Sequence, residues 1–533
     1  VQEIISAVLD GSSISAYEFR LTGSYQPREY CVQYRESDLN FISRLAEEEG
    51  IFYYFEHDAT SHKMVFSDQS SALNSCPPAA DLGYSYSREG LGDDLDAILT
   101  IERVEQVHSA KVTLEDYFFE TPKNDLLADT PALADDSGEE VYSYPGKYET
   151  VAEGQRYARL LVEGRECARS IVRGTSRARV LRTGYTFTMK DHFRADMNVE
   201  YVLTTVYTEA FDNTYRSGSD GGAHGFRNTF EALPKTIPYR PPHRARKPVV
   251  HGTQTALVVG VSGEEIYVDK YGRVKVQFYW DRLGSKDENS SCWIRVAQIW
   301  AGKNWGWMTI PRIGQEVIVD FLEGDPDRPI ITGRVYNADQ MPVYDLPANQ
   351  TQSGIKTRSS KGGGTENFNE IRFEDKMGEE MLTIHAEKDM STWVEHDDTQ
   401  KVQHNRTINV DGTHTETIVG DTTIKITEGD HSTTVDKGDQ SIKVSMGDQS
   451  TSIEMGDQST ELGMGDQSTK VDLGKIEMEA MQSITLTVGG SSIKIDQMGV
   501  TIQGMMIKIN GDLTTDVEAG LMLTLKGAFT FIN

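Results

Sequence analysis

The four letters Gly-Asp-Gln-Ser recur at Gly438, Gly447, Gly456 and Gly465, nine residues apart. Nine is odd, whereas the side chains of a β-strand alternate with period two. A chain built on this unit must turn a corner in every repeat or lose its buried face. The apolar residues set the frame. Val394, Val402, Val410, Ile418 and Ile426 are eight apart, and Val435, Val444, Ile453, Leu462 and Val471 continue at nine. The apolar residue stands two positions before its glycine in Val410-Asp-Gly412 but three before it in Val435-Asp-Lys-Gly438, so one residue is inserted per unit. Within a unit Ile442, Val444 and Met446 share a face, while Ser450, Ser452 and Glu454 point the other way. The parity change is expected inside Gly-Asp-Gln-Ser, because glycine tolerates a bend and Asp bonds its own turn backbone.

A strand of this kind has one narrow apolar face and no second layer to cover it. Either successive turns of one chain stack as a solenoid, or several chains wind about a common axis. The calcium-binding nine-residue solenoid carries GGxGxDxUx, whereas each unit here has one glycine followed directly by the acid. Chains wound together are the better reading, with Val410, Ile418, Ile426, Val435, Val444, Ile453, Leu462 and Val471 on the axis.

Residues 1–233 read as a mixed α/β region. Ser37 caps a helix through Leu39, Ile42, Leu45 and Ala46 that Gly50 terminates. A second helix is expected over Glu153–Ala168, with Tyr157, Leu160, Leu161 and Ala168 on one side, and Ser217–Gly225 is a Gly/Ser loop. Residues 234–248 hold five prolines and a basic cluster and read as an extended, exposed linker, solvated and lying on an acidic body. Residues 249–340 carry five short strands separated by turn signals, the pattern of a small oligonucleotide/oligosaccharide-binding (OB) barrel. Residues 341–392 form a connecting neck, with Ser359–Thr365 as a flexible turn, and 393–533 form the repeat.

The net charge of −29 weighs against nucleic acid and against anionic membrane surfaces, which need a basic face. No apolar run is long enough to span a membrane, so no stable insertion is expected. Cys31, Cys76, Cys167 and Cys292 lack zinc or redox spacing and fit a reducing cytoplasm. The chain begins with Val1 and not Met, inside an amphipathic pattern, and is expected to be missing its N-terminal part.

The barrel and its flanks carry long motifs. They are Tyr271-Gly-Arg-Val-Lys-Val-Gln-Phe-Tyr-Trp-Asp281, Trp300-Ala-Gly-Lys-Asn-Trp-Gly306 and Pro311-Arg-Ile-Gly-Gln-Glu-Val317, then Phe321-Leu-Glu-Gly-Asp-Pro-Asp-Arg-Pro329. With Pro27–Ser37, Phe41–Gly50 and Ile484–Gly490, the chain resembles the VgrG spike proteins of type VI secretion, whose core is similar to the hub and spike of contractile phage tails. The resemblance implies a mainly β homotrimer: an α/β hub, an OB-type barrel and a triple-stranded β-helix (β-prism) formed by three chains. It implies a puncturing spike on the secretion tube, assembled in the bacterial cytoplasm on an Hcp-type ring and baseplate, then secreted or injected with effectors. A PAAR-type tip protein is expected to dock on Phe529, Phe531, Ile532 and Asn533.

No HExxH, GxSxG or Cys/His pairing is present, and acid pairs such as Asp135-Asp136 are ordinary on an acidic surface. No catalytic residue, cofactor or metal is expected. Three copies of His396 or His404 could ring an axis, but exposed structural histidines are the plainer reading. Two alternatives remain: a trimeric tailspike-like enzyme acting on surface glycans, and a carrier of a toxin domain beyond residue 533.

Overall fold

The computed structural model describes residues 1–85, 96–109, 111–130, 139–212, 224–529 and 531. Most of the expected loop at 217–225 and the pair Asp135-Asp136 lie outside the described residues. The chain divides into two units, Val1–Thr399 and Gln400–Asn533. No helix among the described residues is long and apolar enough to cross a membrane.

The first unit begins with helix α1 (Gln2–Gly11), which buries Ile5 and Leu9 against helix α2 (Asp38–Glu48). Ser37 caps α2 by accepting from the Asn40 amide at 3.2 Å, and Gly50 at φ +73° lets the chain leave it. Ile42, Leu45 and Ala46 are buried as expected, but Leu39 is exposed and Phe41 takes the inward place. A three-stranded sheet (Tyr17–Arg20, His62–Ser67, Phe52–His57) covers this pair, and Met64 and Phe66 close its core.

Helix α3 (Val151–Arg169) starts at a capping box: Thr150 accepts from the Glu153 amide, and the Glu153 carboxylate accepts from the Thr150 hydroxyl and the Glu149 amide. Its buried stripe is Gly154, Ala158, Val162 and Cys167, whereas Ala168 faces water and Tyr157, Leu160 and Leu161 are half-buried. Glycine is required at 154, since a Cβ there would meet the Tyr148 ring at 2.5 Å. The largest sheet runs Asp81–Gly83, Thr186–Lys190, Glu200–Asp212, His224–Pro234, Ser170–Ser176, Ile98–Glu105.

The barrel strands pair in the order Lys275–Phe278, Gln254–Val259, Glu316–Phe321, Pro329–Val335, Arg295–Val296. The last pair is parallel, and an antiparallel bridge from Val274 to Ile294 joins the first strand to the last. That closes the sheet on itself, the topology of a five-stranded OB barrel. Ala256, Val258, Val276, Ile294, Val317 and Val319 fill it. Val32 and Tyr34, more than 200 residues upstream in sequence, pack into the same core, and the Val32 amide donates to Asp327 at 2.7 Å.

The linker is not free in solvent. Arg240 donates to Glu163 at 2.7 Å and to the Asp68 carbonyl at 2.6 Å, and Lys247 sits 2.7 Å from both Asp325 and Asp327. Its cations therefore neutralise acids of its own body. Burial works against ionisation of Asp325, but the ammonium groups of Lys247 and Lys147 outweigh it and hold this carboxyl below its usual range. The glycine turn at 359–365 is likewise fastened. Ser360 and the Gly362 amide both donate to Glu265, at 2.6 and 2.8 Å, and Lys361 pairs with Glu264. Downstream, Gln352–Lys356, Glu370–Glu374 and Met381–His385 form an antiparallel meander.

Candidate functional site

The repeat of the second unit has no strand ladder of its own between residues 400 and 482; the chain runs extended between regularly spaced bends. The bends fall at residues 403–404, 411–412 and 419–420, then at 427–429, 436–438, 445–447, 454–456, 463–465 and 472–474. A two-residue corner thus becomes a three-residue corner directly after Ile426, where the inserted residue enters. The backbone changes with it. Gly412 and Gly420 stay out of the left-handed region, whereas Gly429, Gly438, Gly447, Gly456, Gly465 and Gly474 have φ between +98° and +140°. Only glycine adopts such angles without strain, which accounts for its place in every nine-residue unit.

The corner is displaced from where the sequence pattern put it. Each nine-residue bend ends on its glycine, so Asp-Gln-Ser leaves the corner as extended chain, and the parity change falls on the residues before it. Met446 consequently belongs to a bend and not to the face of Ile442 and Val444. An alternating pattern cannot distinguish these placements, because an odd residue can be absorbed on either side of the glycine.

Every expected axis residue stands immediately before a bend. Val410, Ile418, Ile426, Val435, Val444, Ile453, Leu462 and Val471 share one environment, each 46–51% exposed in the single chain. Eight apolar side chains in register, each half covered by its own strand, make a column that one chain cannot bury. The neck meander repeats the theme: Ile355, Ile371 and Ile384 pair across its strands and stay substantially exposed.

Beyond the repeat, Ser483–Val488, Ser491–Asp496 and Gly499–Gln503 form a second antiparallel meander, pairing Ile484 with Ile495 and Ile493 with Ile502. After it, bends include Met505, Leu513, Leu521 and Phe529, again eight apart. The sequence reading missed this second octad because its glycines, Gly504, Gly511, Gly520 and Gly527, are unevenly spaced and do not themselves repeat every eight residues. Phe529 and Phe531 are almost fully exposed; Ile532 and Asn533 lie outside the described residues.

The chemistry-bearing side chains are dispersed. Among the described residues no three His, Cys, Asp or Glu side chains stand together as metal ligands. His396 pairs with its neighbour Asp397, at 2.8 Å. Burial pushes the Cys292 thiol up to about 12 and those of Cys31 and Cys167 up to about 11, far from the thiolate a nucleophile needs. The exposed Trp300 and Trp305 stack edge to face at 4.9 Å on a short hairpin, Trp300–Gly302 with Trp305–Trp307.

Three family models match the chain. Residues 1–214 match the phage tail baseplate hub (GPD), residues 255–336 the type VI secretion system/phage-baseplate injector OB domain, and residues 353–473 the bacteriophage T4 gp5 C-terminal trimerisation domain. The type VI secretion system spike protein VgrG1b of Pseudomonas aeruginosa is 46% identical over 416 residues, 77% of this chain and 56% of the relative. The actin cross-linking toxin VgrG1 of Vibrio cholerae is 36% identical over 430 residues, 80% of this chain and 39% of the toxin. A solved E. coli component of the type VI secretion system is similar at TM-score 0.42 and 22% identity, over 63% of this chain and 71% of that one. The chain thus spans little more than half the length of the VgrG1b relative.

Proposed function

The chain belongs to the VgrG spike family of type VI secretion, and from that membership we propose that three copies assemble into a puncturing spike that carries effectors. The half-exposed column from Val410 to Val471 carries the proposal. Its eight side chains lie within the stretch matched to a trimerisation domain, and each needs cover that its own chain does not supply. Burying half of a Val, Ile or Leu side chain contributes about 1 kcal/mol per residue and per chain. Summed over eight levels and three chains, that stabilises an obligate trimer and gives a rod resistant to bending.

In this reading Phe529 and Phe531, with Ile532 and Asn533, receive a PAAR-type tip protein. The hub region seats on an Hcp-type ring and the baseplate. The spike is assembled in the cytoplasm and leaves with its cargo, and it works mechanically, not as an enzyme. The toxin relative favours a second mode of carriage, with cargo fused to the same polypeptide. The length of the open reading frame tests that mode.

Deleting Phe529–Asn533 tests the docking. Loss of co-purification with the tip protein, with the trimer intact, supports it, and retained binding removes it. Release of sugars from cell-wall or capsule glycans by purified trimer would overturn the non-enzymatic reading.

A further inference from the structure

The residue just before each left-handed glycine is Glu428, Lys437, Met446, Met455, Met464 and Leu473 in turn. Two properties separate this corner series from the axis column. First, its four apolar members are 94–97% exposed in the single chain, against about half for the column. Secondly, the column is apolar at all eight positions, whereas the corner holds an acid in one unit and a lysine in the next. An ionised side chain sealed in a dry seam costs several kcal/mol, so a position that accepts both signs faces water in the assembled needle as well.

We infer that Met446, Met455, Met464 and Leu473 form an outward apolar ridge on the needle, one per chain, that docks a cationic amphipathic segment of another protein. The inference rests on the trimeric reading above. The partner's chemistry follows from the surroundings. Residues 443–475 contain Asp448, Glu454, Asp457, Glu461, Asp466 and Asp472 against Lys443, Lys470 and Lys475 at the two ends of the stretch. Acids flank Met455 and Met464 on both sides and Asp448 follows Met446, so the middle of the ridge is acidic and a partner must bring both positive charge and apolar side chains. Methionine suits such a surface, since its unbranched, polarisable side chain adapts to irregular partners. The ridge is confined to the last four corners; at Glu428 and Lys437 it is interrupted by charge, which sets its upper limit.

Two measurements test this on the full-length protein, after light scattering has established its mass. Brief peroxide treatment followed by peptide mass analysis should oxidise Met446, Met455 and Met464 in the intact trimer as fast as in the unfolded chain. Protection of these methionines in an intact trimer would place them in the subunit seam and overturn the ridge while leaving the trimer standing. A chain that is not trimeric would overturn the proposed function instead. The probe for docking is a synthetic amphipathic Leu/Lys helical peptide, paired with a control of equal charge in which Gly and Ser replace Leu. The amphipathic peptide should bind about tenfold more weakly to the M446Q/M455Q/M464Q/L473Q variant, which keeps every charge, and the control should not discriminate. Equal binding of both peptides, equal binding by both proteins, or failure of the variant to form the trimer would each refute the ridge.

Discussion

The barrel and the repeat solve the same problem in opposite ways. The barrel buries Val258, Val276, Ile294 and Val319 almost completely within one chain, because its fifth neighbour closes the sheet on the first. The repeat offers a comparable set of Val, Ile and Leu side chains and leaves each half exposed. Residue type does not separate them; the reach of the pairing does. Barrel strands pair across as many as about sixty intervening residues, whereas the repeat between 400 and 482 forms no strand pair among the described residues. A core that closes on itself is stable in a monomer. A column that does not close makes stability depend on chain concentration.

The largest expected effect lies in the column. On the proposed axis, Ile453→Asp puts three carboxylates at one level and should abolish the trimer in sedimentation while leaving the barrel's own unfolding unchanged. An unaltered trimer would take Ile453 off the axis.

Next in size is a change inside the first unit. Arg44 is fully buried and pairs with Glu36 at 2.8 Å. Arg44→Met strands that carboxylate and should cost about 3–5 kcal/mol in urea unfolding. The loss should be the same at any protein concentration, in contrast to Ile453→Ala, whose melting temperature should fall further on dilution.

The two corner types give a finer contrast. Gly456→Ala forces an L-residue to φ near +120° and should destabilise by about 1–3 kcal/mol per chain. Gly412→Ala, outside the left-handed region and with no atom within 4 Å of the added Cβ, should cost far less. Equal losses in thermal melts would mean that the octad and the nine-residue unit share one corner.

The smallest effect is in pH. Asp325 is held below its ordinary value, so the stability it contributes is present above about pH 4 and is lost as pH falls through its folded value. Burial works against the charge on Lys247, but Asp327 and Asp325 outweigh it and raise this amine. Its contribution is present below about pH 10 and is lost as pH rises through the raised value. Asp325→Asn should flatten the acid limb of the first unit's stability and leave the melting of the repeat unaffected.

What was legible in the sequence follows the same divide. The spacing of the apolar residues and of the bends that follow them was legible because a period of eight or nine needs no long-range partner to be visible. The corner was misplaced, since alternation fixes a face but not the residue that absorbs the odd step. The cap at Ser37 and the stop at Gly50 were local and readable. The anchoring of Lys247 on Asp325 and Asp327, and of Val32 and Tyr34 in the barrel, joins residues far apart in sequence and left no local pattern. The octad carried by Met505, Leu513, Leu521 and Phe529 was hidden because the glycines beside its corners, Gly504, Gly511, Gly520 and Gly527, are unevenly spaced.

The central claim is that the column from Val410 to Val471 is covered by two further copies of the same chain. Light scattering of the purified protein over a range of dilution tests it most directly. The account predicts a particle of three times 59.5 kDa that persists on dilution. A stably folded 59.5 kDa monomer, with the column exposed, would contradict it.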